Sequence, residues 1–444
     1  IASRIERGDE MISATKFAQP ASRAARHFAG IRLLSSSPIV AAEKGGNAFK
    51  PKADRTQSMA FTKKDAGNKR TRSGTSTSVN MSSANPAYYT EQPKPKLDLL
   101  SKDTATASRL NTFLQIDDGF LQNTGKGRFP GHLAADFKLF GKPALLYRKK
   151  TQALVDQMAQ NADSAPKRAT VLDGQNGVGK SAELLKLAQV AATSGHIVIY
   201  ALSTLPWVNS SRPYGPGYKS DLFVQYELAN ELLRSVVAVS RDALSKVPLG
   251  KSVTLGKRTL ESGNTLADLV DVGLQTPSLA HDALDQLLDI ASTQTVVPVF
   301  IGLDEVNTLW CKTSYRDQED NILPANRFRL ARSFLPFFEG KSLAKGWVVG
   351  ATSYAEVRFM PKDLKTRLNP PPAIPIANPD LARDPGVAEL SFDVRKIERL
   401  SSAEAWGLMQ FYQKANIVTT PVTEGLVAKK WVYANGNPRQ MFAG

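Results

Sequence analysis

The apolar residues of this chain are grouped by period. Residues 170–173 (Thr-Val-Leu-Asp) form a short apolar run that stops at a glycine-rich segment. After it, Leu184, Leu185, Leu187, Val190 and Ala191 recur at helical spacing as far as residues 194–195. Residues 196–203 (HIVIYALS) are again continuously apolar, as in a strand covered on both faces. The pattern predicts helices over 221–245 and from Thr276-Pro277 to about 291, where threonine caps and proline takes the first helical position. A strand over 296–304, a helix near 328–338 and a strand over 346–353 complete the series. Residues 250–264 read as loop or hairpin, 305–327 as a long loop, and 142–158 as helix. Strands alternating with helices predict an α/β fold with a parallel sheet. Beyond the prolines at 370–372 the spacing turns helical over 401–414 and 422–432, which predicts a helical C-terminal lid.

These patterns divide the chain at 1–42, 43–95, 96–164, 165–370 and 371–444. The chain has 444 residues, a net charge of +16 and 42% hydrophobic residues, enough for a sizeable core. The charge is uneven. Residues 1–73 carry +9, which leaves +7 for the remainder. Residues 11–42 contain no acid but hold Lys16, Arg23, Arg26, Arg32 and several serines, the composition of a mitochondrial targeting segment with Met11 as a start. Residues 43–95 are basic and low in large apolar side chains, so a disordered or extended arm is expected. A basic balance of this size favours a polyanionic partner such as nucleic acid. One cysteine, Cys311, excludes an intrachain disulfide and suits a reducing compartment. The four histidines show no metal-ligand spacing and read as packing or surface residues. No apolar run reaches membrane-spanning length.

The chemistry is carried by residues 174–181. Gly174, Gln175, Asn176, Gly177, Val178, Gly179, Lys180 and Ser181 spell a complete G-x-x-x-x-G-K-S phosphate loop between a strand and a helix. Its glycines let backbone N–H groups turn inward around a phosphate, and the following helix, from Lys180 through Ala182, points its positive end at the same anion. Lys180 is expected on the terminal phosphates and the Ser181 hydroxyl on Mg²⁺. The apolar strand ending in Asp304-Glu305 is the expected partner, with Asp304 on the metal side. Glu305 is either a catalytic base for a water or a loop charge. Ser353, at the end of its strand beside Thr352, either meets the nucleotide or is ordinary strand-end polarity. No guanine-recognition motif follows the loop, so the base stays open between GTP/GDP and ATP/ADP. Arg329 and Arg332 share one helix face and read as a trans-acting arginine pair, a phosphate contact or a solvated face.

Taken together, Phe140-Gly-Lys-Pro-Ala-Leu-Leu, the phosphate loop, Trp207-Val-Asn, Leu303-Asp-Glu-Val-Asn-Thr-Leu-Trp and Ala434-Asn-Gly-Asn-Pro-Arg resemble the nucleotide-binding small-subunit protein family of mitochondrial ribosomes, the death-associated protein three family. The likeness runs over about residues 130–444, and the long N-terminus looks fungal. It implies a P-loop NTPase domain of the AAA-like kind with a bound purine nucleotide and Mg²⁺. It also implies contact with mitochondrial small-subunit rRNA and neighbouring ribosomal proteins, a ribosome-contacting extension over 96–164, bridges to the large subunit, and residence in the matrix. Gly436-Asn-Pro-Arg439 resembles the sensor helix of extended AAA ATPases, which places Arg439 on phosphates, with RNA or solvent as alternatives. Little or no hydrolysis is implied; an active ATPase or GTPase remodelling a partner is the alternative.

Overall fold

The computed structural model describes residues 95–125, 131–217, 221–369 and 390–443. The expected targeting segment and all but the last residue of the basic arm lie outside them.

Five strands form the central sheet: β1 Ala169–Asp173, β2 Ile197–Ala201, β3 Val299–Asp304, β4 Gly346–Ala351 and β5 Phe392–Lys396. Their spatial order is β5-β1-β4-β3-β2, and every neighbouring pair is parallel. Every residue of β1 to β4 is buried, which is why these strands read as continuous apolar runs. Alternate side chains serve opposite faces. Val171, Ile197, Ile199, Val299 and Ile301 join one apolar layer; Leu172, Val198, Tyr200, Phe300 and Trp347 join the other.

Two helices, α1 Lys149–Asn161 and α2 Lys180–Thr193, contribute to the second layer. The first layer is filled by α3 Tyr226–Leu244, α4 Leu266–Gln275, α5 Ala280–Thr293 and α6 Arg329–Phe338. Helix α3 carries a kink at Ser240, whose hydroxyl accepts the Val198 N–H of edge strand β2 at 2.9 Å. That bond satisfies a backbone donor which has no sheet partner on that side.

The C-terminal helices α7 Ser402–Lys414 and α8 Glu424–Tyr433 do not stand apart as a free lid. They pack on an antiparallel pair, Phe113–Gln115 with Ala144–Leu146, from the N-terminal extension. Phe113 stacks on Phe411 at 3.8 Å between ring centroids, and Phe140 meets Phe411 edge-on at 5.1 Å. These aromatic contacts bury the apolar faces of both segments against each other.

Several expectations are corrected. Residues 142–158 are not one helix, because Ala144–Leu146 is a strand and α1 begins only at Lys149. Helix α3 starts at Tyr226, since Phe223–Val224 pairs instead with Gly215–Pro216. Thr276 does precede a proline-started turn, but that turn is a 3₁₀ segment, Pro277–Leu279, ahead of α5. Helix α4 was not anticipated, although Thr265 and Asp268 form a reciprocal capping box at its start. The stretch 305–327 holds a hairpin, Lys312–Arg316 with Ile322–Pro324. Strand β5 lies inside 371–444, so that segment supplies an edge of the sheet as well as the lid.

Candidate functional site

Strand β1 delivers the chain to Asp173, and the glycine loop returns it to α2. Gly177 and Gly179 have φ of +82° and +102°, the left-handed region that glycine enters without strain. At Gly177 the need is also steric: a Cβ would stand 2.6 Å from Asn437 Oδ1 and 3.0 Å from Arg439 Cβ. The turn after α8 thus lies on the loop, and Asn437 Nδ2 donates to Asn176 O at 2.8 Å. Gln175 takes both Nε and Nη2 of Arg399, at 3.2 and 2.7 Å.

Lys180, 6% exposed, lies back across the loop and donates to Gly174 O at 2.7 Å and Gln175 O at 3.0 Å. Burial pushes its pKa down, while Asp173 and Asp304 pull it back up. Asp304, 1% exposed, is pushed up to about 7 by burial and then by neighbouring Glu305; bonds from the Ser181 hydroxyl and the Glu305 N–H, with the Lys180 charge, oppose the rise. A buried carboxylate beside a hydroxyl is a donor pair that favours a cation. Among the described residues no group of three or more His, Cys, Asp or Glu is placed to hold a metal ion. Ser181 and Asp304 nevertheless suit Mg²⁺, which takes one or two protein oxygens and completes its shell with water and phosphate.

Glu305 does not project freely into the site. Its backbone is left-handed, φ +61°, and its carboxylate accepts from the Ser203 hydroxyl and from the Leu205 N–H at 3.3 Å. Burial raises its pKa, and those two bonds lower it. Ser353 is tied by its N–H to Asn307 Oδ1 at 2.8 Å, and Asn307 Nδ2 donates to Phe359 O at 3.0 Å. Thr308 bonds Thr204 through their hydroxyls at 2.7 Å, and Trp310 packs edge-on to Phe338 at 5.8 Å. The Asn-Thr-Leu-Trp end of the Asp-Glu-Val-Asn-Thr-Leu-Trp run therefore ties together the connections behind the strand ends.

One cavity of about 630 Å³ collects Asn176 to Ala182, Asp304, Glu305, Ser353 and Arg439. It extends into an apolar cleft between Phe113, Phe140 and Leu146 on one side and Leu408 and Tyr412 of the lid on the other. A few hundred cubic ångströms with a polar floor and apolar walls suits a small organic ligand. Gly174 and Gln175 line an adjoining cleft of about 710 Å³ instead.

Four residues of this region escaped the motif reading: Asp173, Tyr354, Lys396 and Arg148. Asp173, 1% exposed, accepts from the Thr352 hydroxyl (2.7 Å), the Tyr354 hydroxyl (2.9 Å) and Lys396 (2.5 Å). Burial pushes the Asp173 carboxyl up, but these bonds outweigh it and hold it below its ordinary value. Thr352 thus serves Asp173. Arg148 is the fourth: it opens α1 and reaches the loop carbonyl of Val178 at 3.1 Å. Its only sequence signal was a basic residue just before a helix. Arg329 is committed elsewhere, to Asp282 at 2.6 Å and Asp285 at 2.8 Å, so it is not a spare arginine of this site.

A parallel α/β sheet with a glycine loop at one strand end, a carboxylate at another and a helical cover defines the class of protein. The chain belongs to the mitochondrial ribosomal death-associated protein 3 family, whose profile matches residues 145–444. It is 24% identical over 315 residues to the small ribosomal subunit protein mS29 of Schizosaccharomyces pombe, covering 69% of this chain and 65% of that protein. The Bos taurus protein of the same name is 25% identical over 201 residues, 44% of this chain and 51% of its own. The Neurospora crassa one is 21% identical over 307 residues, 66% and 65%. The matches thus span less than two thirds of the length of these relatives.

Proposed function

We propose that this chain is a structural component of the mitochondrial small ribosomal subunit, resident in the matrix, that holds a purine nucleotide with Mg²⁺ at the glycine loop. The proposed partners are the small-subunit rRNA, neighbouring ribosomal proteins and, through bridges, the large subunit. Membership of the family and the shared name of three relatives support the ribosomal part. The observation that carries the nucleotide part is the single cavity shared by Lys180, Ser181, Asp304 and Arg439. The order β5-β1-β4-β3-β2 supports a P-loop NTPase of the additional-strand, AAA-like kind, because β4 is inserted between the loop strand and the Asp304 strand.

In this reading the loop amides and the start of α2 receive the phosphates, and Lys180 exchanges two loop carbonyls for phosphate oxygens. Ser181 and Asp304 would hold Mg²⁺, which would supply charge neutralisation on the phosphates. The apolar cleft would receive the purine, with Arg439 over the loop from the lid side. A ligand bound only by the folded state stabilises it by mass action, about 2.7 kcal/mol at a hundredfold excess over Kd. Turnover is not required for that role. Sedimentation of a mitochondrial extract in moderate salt tests the ribosomal part: co-migration of the chain with the small subunit is expected, and a free pool alone refutes it.

The adjacency of Asp304 and Glu305 favours a second reading, an active ATPase or GTPase that remodels a partner. Hydrolysis by the purified chain that disappears in Glu305→Gln would support it. The bonds from Ser203 and Leu205 to Glu305 favour retention of the nucleotide over its turnover.

A further inference from the structure

Arg148 is 5% exposed, and its guanidinium is divided among three segments of the chain. Nη1 donates to Val178 O at 3.1 Å, on the glycine loop. Nη2 donates to Glu398 O at 2.9 Å and Arg399 O at 3.1 Å, in the connector after β5. Nε and Nη2 each meet one carboxylate oxygen of Glu404, both at 3.2 Å, on the first turn of α7. Glu404 also accepts the Ser401 N–H at 2.9 Å, so one carboxylate both caps the lid helix and takes the arginine. Behind this pair a second buried network anchors α1 to α2. Thr151 donates to Glu183 at 2.7 Å, and Lys186 donates to Leu146 O, Thr151 and Glu183 at 2.7 to 2.9 Å.

Loop, connector and lid wall the same cavity. Parting the lid from the loop would break the two-point contact between Arg148 and Glu404, and while the gap is too narrow to admit water each charge is left without its partner. We propose that Arg148 and Glu404 are positioning residues that latch α7 onto the glycine loop, so that ligand exchange waits on rupture of a buried ion pair. The latch rests on the nucleotide reading for its ligand, while its mechanics stand on the bonds themselves. It makes the cavity a store in which a nucleotide is kept and seldom renewed.

The full chain is loaded with a fluorescent purine nucleotide and chased with excess unlabelled nucleotide. Arg148→Lys keeps the charge but loses the fork; Glu404→Gln keeps the shape but loses the charge. Both should release the probe at least ~10-fold faster, since each leaves a buried charge incompletely paired. Thr423→Ala removes the N-cap of α8 elsewhere in the lid and should release at the wild-type rate. Unfolding temperature is recorded for all three. Lowered stability with unchanged release in the first two refutes the latch, as does equally fast release from Thr423→Ala. Amide exchange in the nucleotide-free chain is the independent arm. Residues 176–179 and 402–408 should gain exchange together in Arg148→Lys and Glu404→Gln and not in Thr423→Ala; separate or unchanged exchange refutes the latch. If wild type retains no probe while this paired exchange appears, the nucleotide reading fails and the latch survives.

Discussion

Asp304→Asn should stabilise the nucleotide-free chain while weakening its hold on Mg²⁺ and nucleotide. The Asp304 carboxyl rises from an ordinary 3.8 to about 7, through burial first and Glu305 second. The folded state therefore binds that proton more tightly than the unfolded chain does. The cost of ionising it is absent below the unfolded pKa, grows as pH rises, and is complete above the folded pKa. A shift of about three units corresponds to roughly 4 kcal/mol at 1.36 kcal/mol per unit. Glu305 shares in that strain and remains after the substitution, so about 2–4 kcal/mol is expected near pH 8, and less than half as much near pH 5. In a domain of this size that gain raises the unfolding temperature by roughly 5–10 °C. Thermal and urea unfolding of stripped protein at both pH values is the assay. Titration with Mg²⁺ and nucleotide should show the opposite sign, because the carboxylate that burdens the empty cavity is the group a cation needs. No stabilisation near pH 8, or a gain equal at both pH values, would refute the reasoning.

Other substitutions probe other parts of the site. Lys180→Ala should raise the nucleotide Kd by ~10–100-fold in equilibrium titration, the range for a lost charged hydrogen-bond donor. Asp173→Asn should cost about 1–3 kcal/mol in urea unfolding; the buried carboxylate loses its charge, but Lys396 is half-exposed and regains water. Its pKa is depressed, so its contribution is present above the unfolded value and is lost as pH falls through the folded one; the deficit of the variant should shrink in acid. Gly177→Ala should cost at least ~1–2 kcal/mol for the left-handed backbone alone, and more for the clash with Asn437, read as a lowered unfolding temperature.

The glycine loop, its flanking strand and helix, and the strand that ends at Asp304 were legible because their residue types are dictated locally. Glycines had to turn, an apolar run had to be covered on both sides, and a carboxylate had to close it. Boundaries failed where a pairing partner lay far away. Ala144–Leu146 has a helical composition, but Phe113–Gln115 captures it as a strand. Strand β5 shows only Phe392 and Val394 above polar neighbours, and β1 supplies the register that makes it a strand. Asp173 and Lys396 carried no signal and Arg148 only that of a basic residue before a helix, because their partners are separated by up to 256 positions along the chain. Glu305 is a similar case. Its position beside Asp304 left a catalytic base and a loop charge both open, and its bond from Ser203, on the neighbouring strand connection, could not be read from either segment alone.

The most direct test is to isolate intact mitochondrial small subunits, denature them, and identify and count what is released. A purine nucleotide close to one per copy of this chain, lost from particles carrying Lys180→Ala, is the expected result. Particles that contain the chain but release no nucleotide, or that lack the chain altogether, would contradict the account.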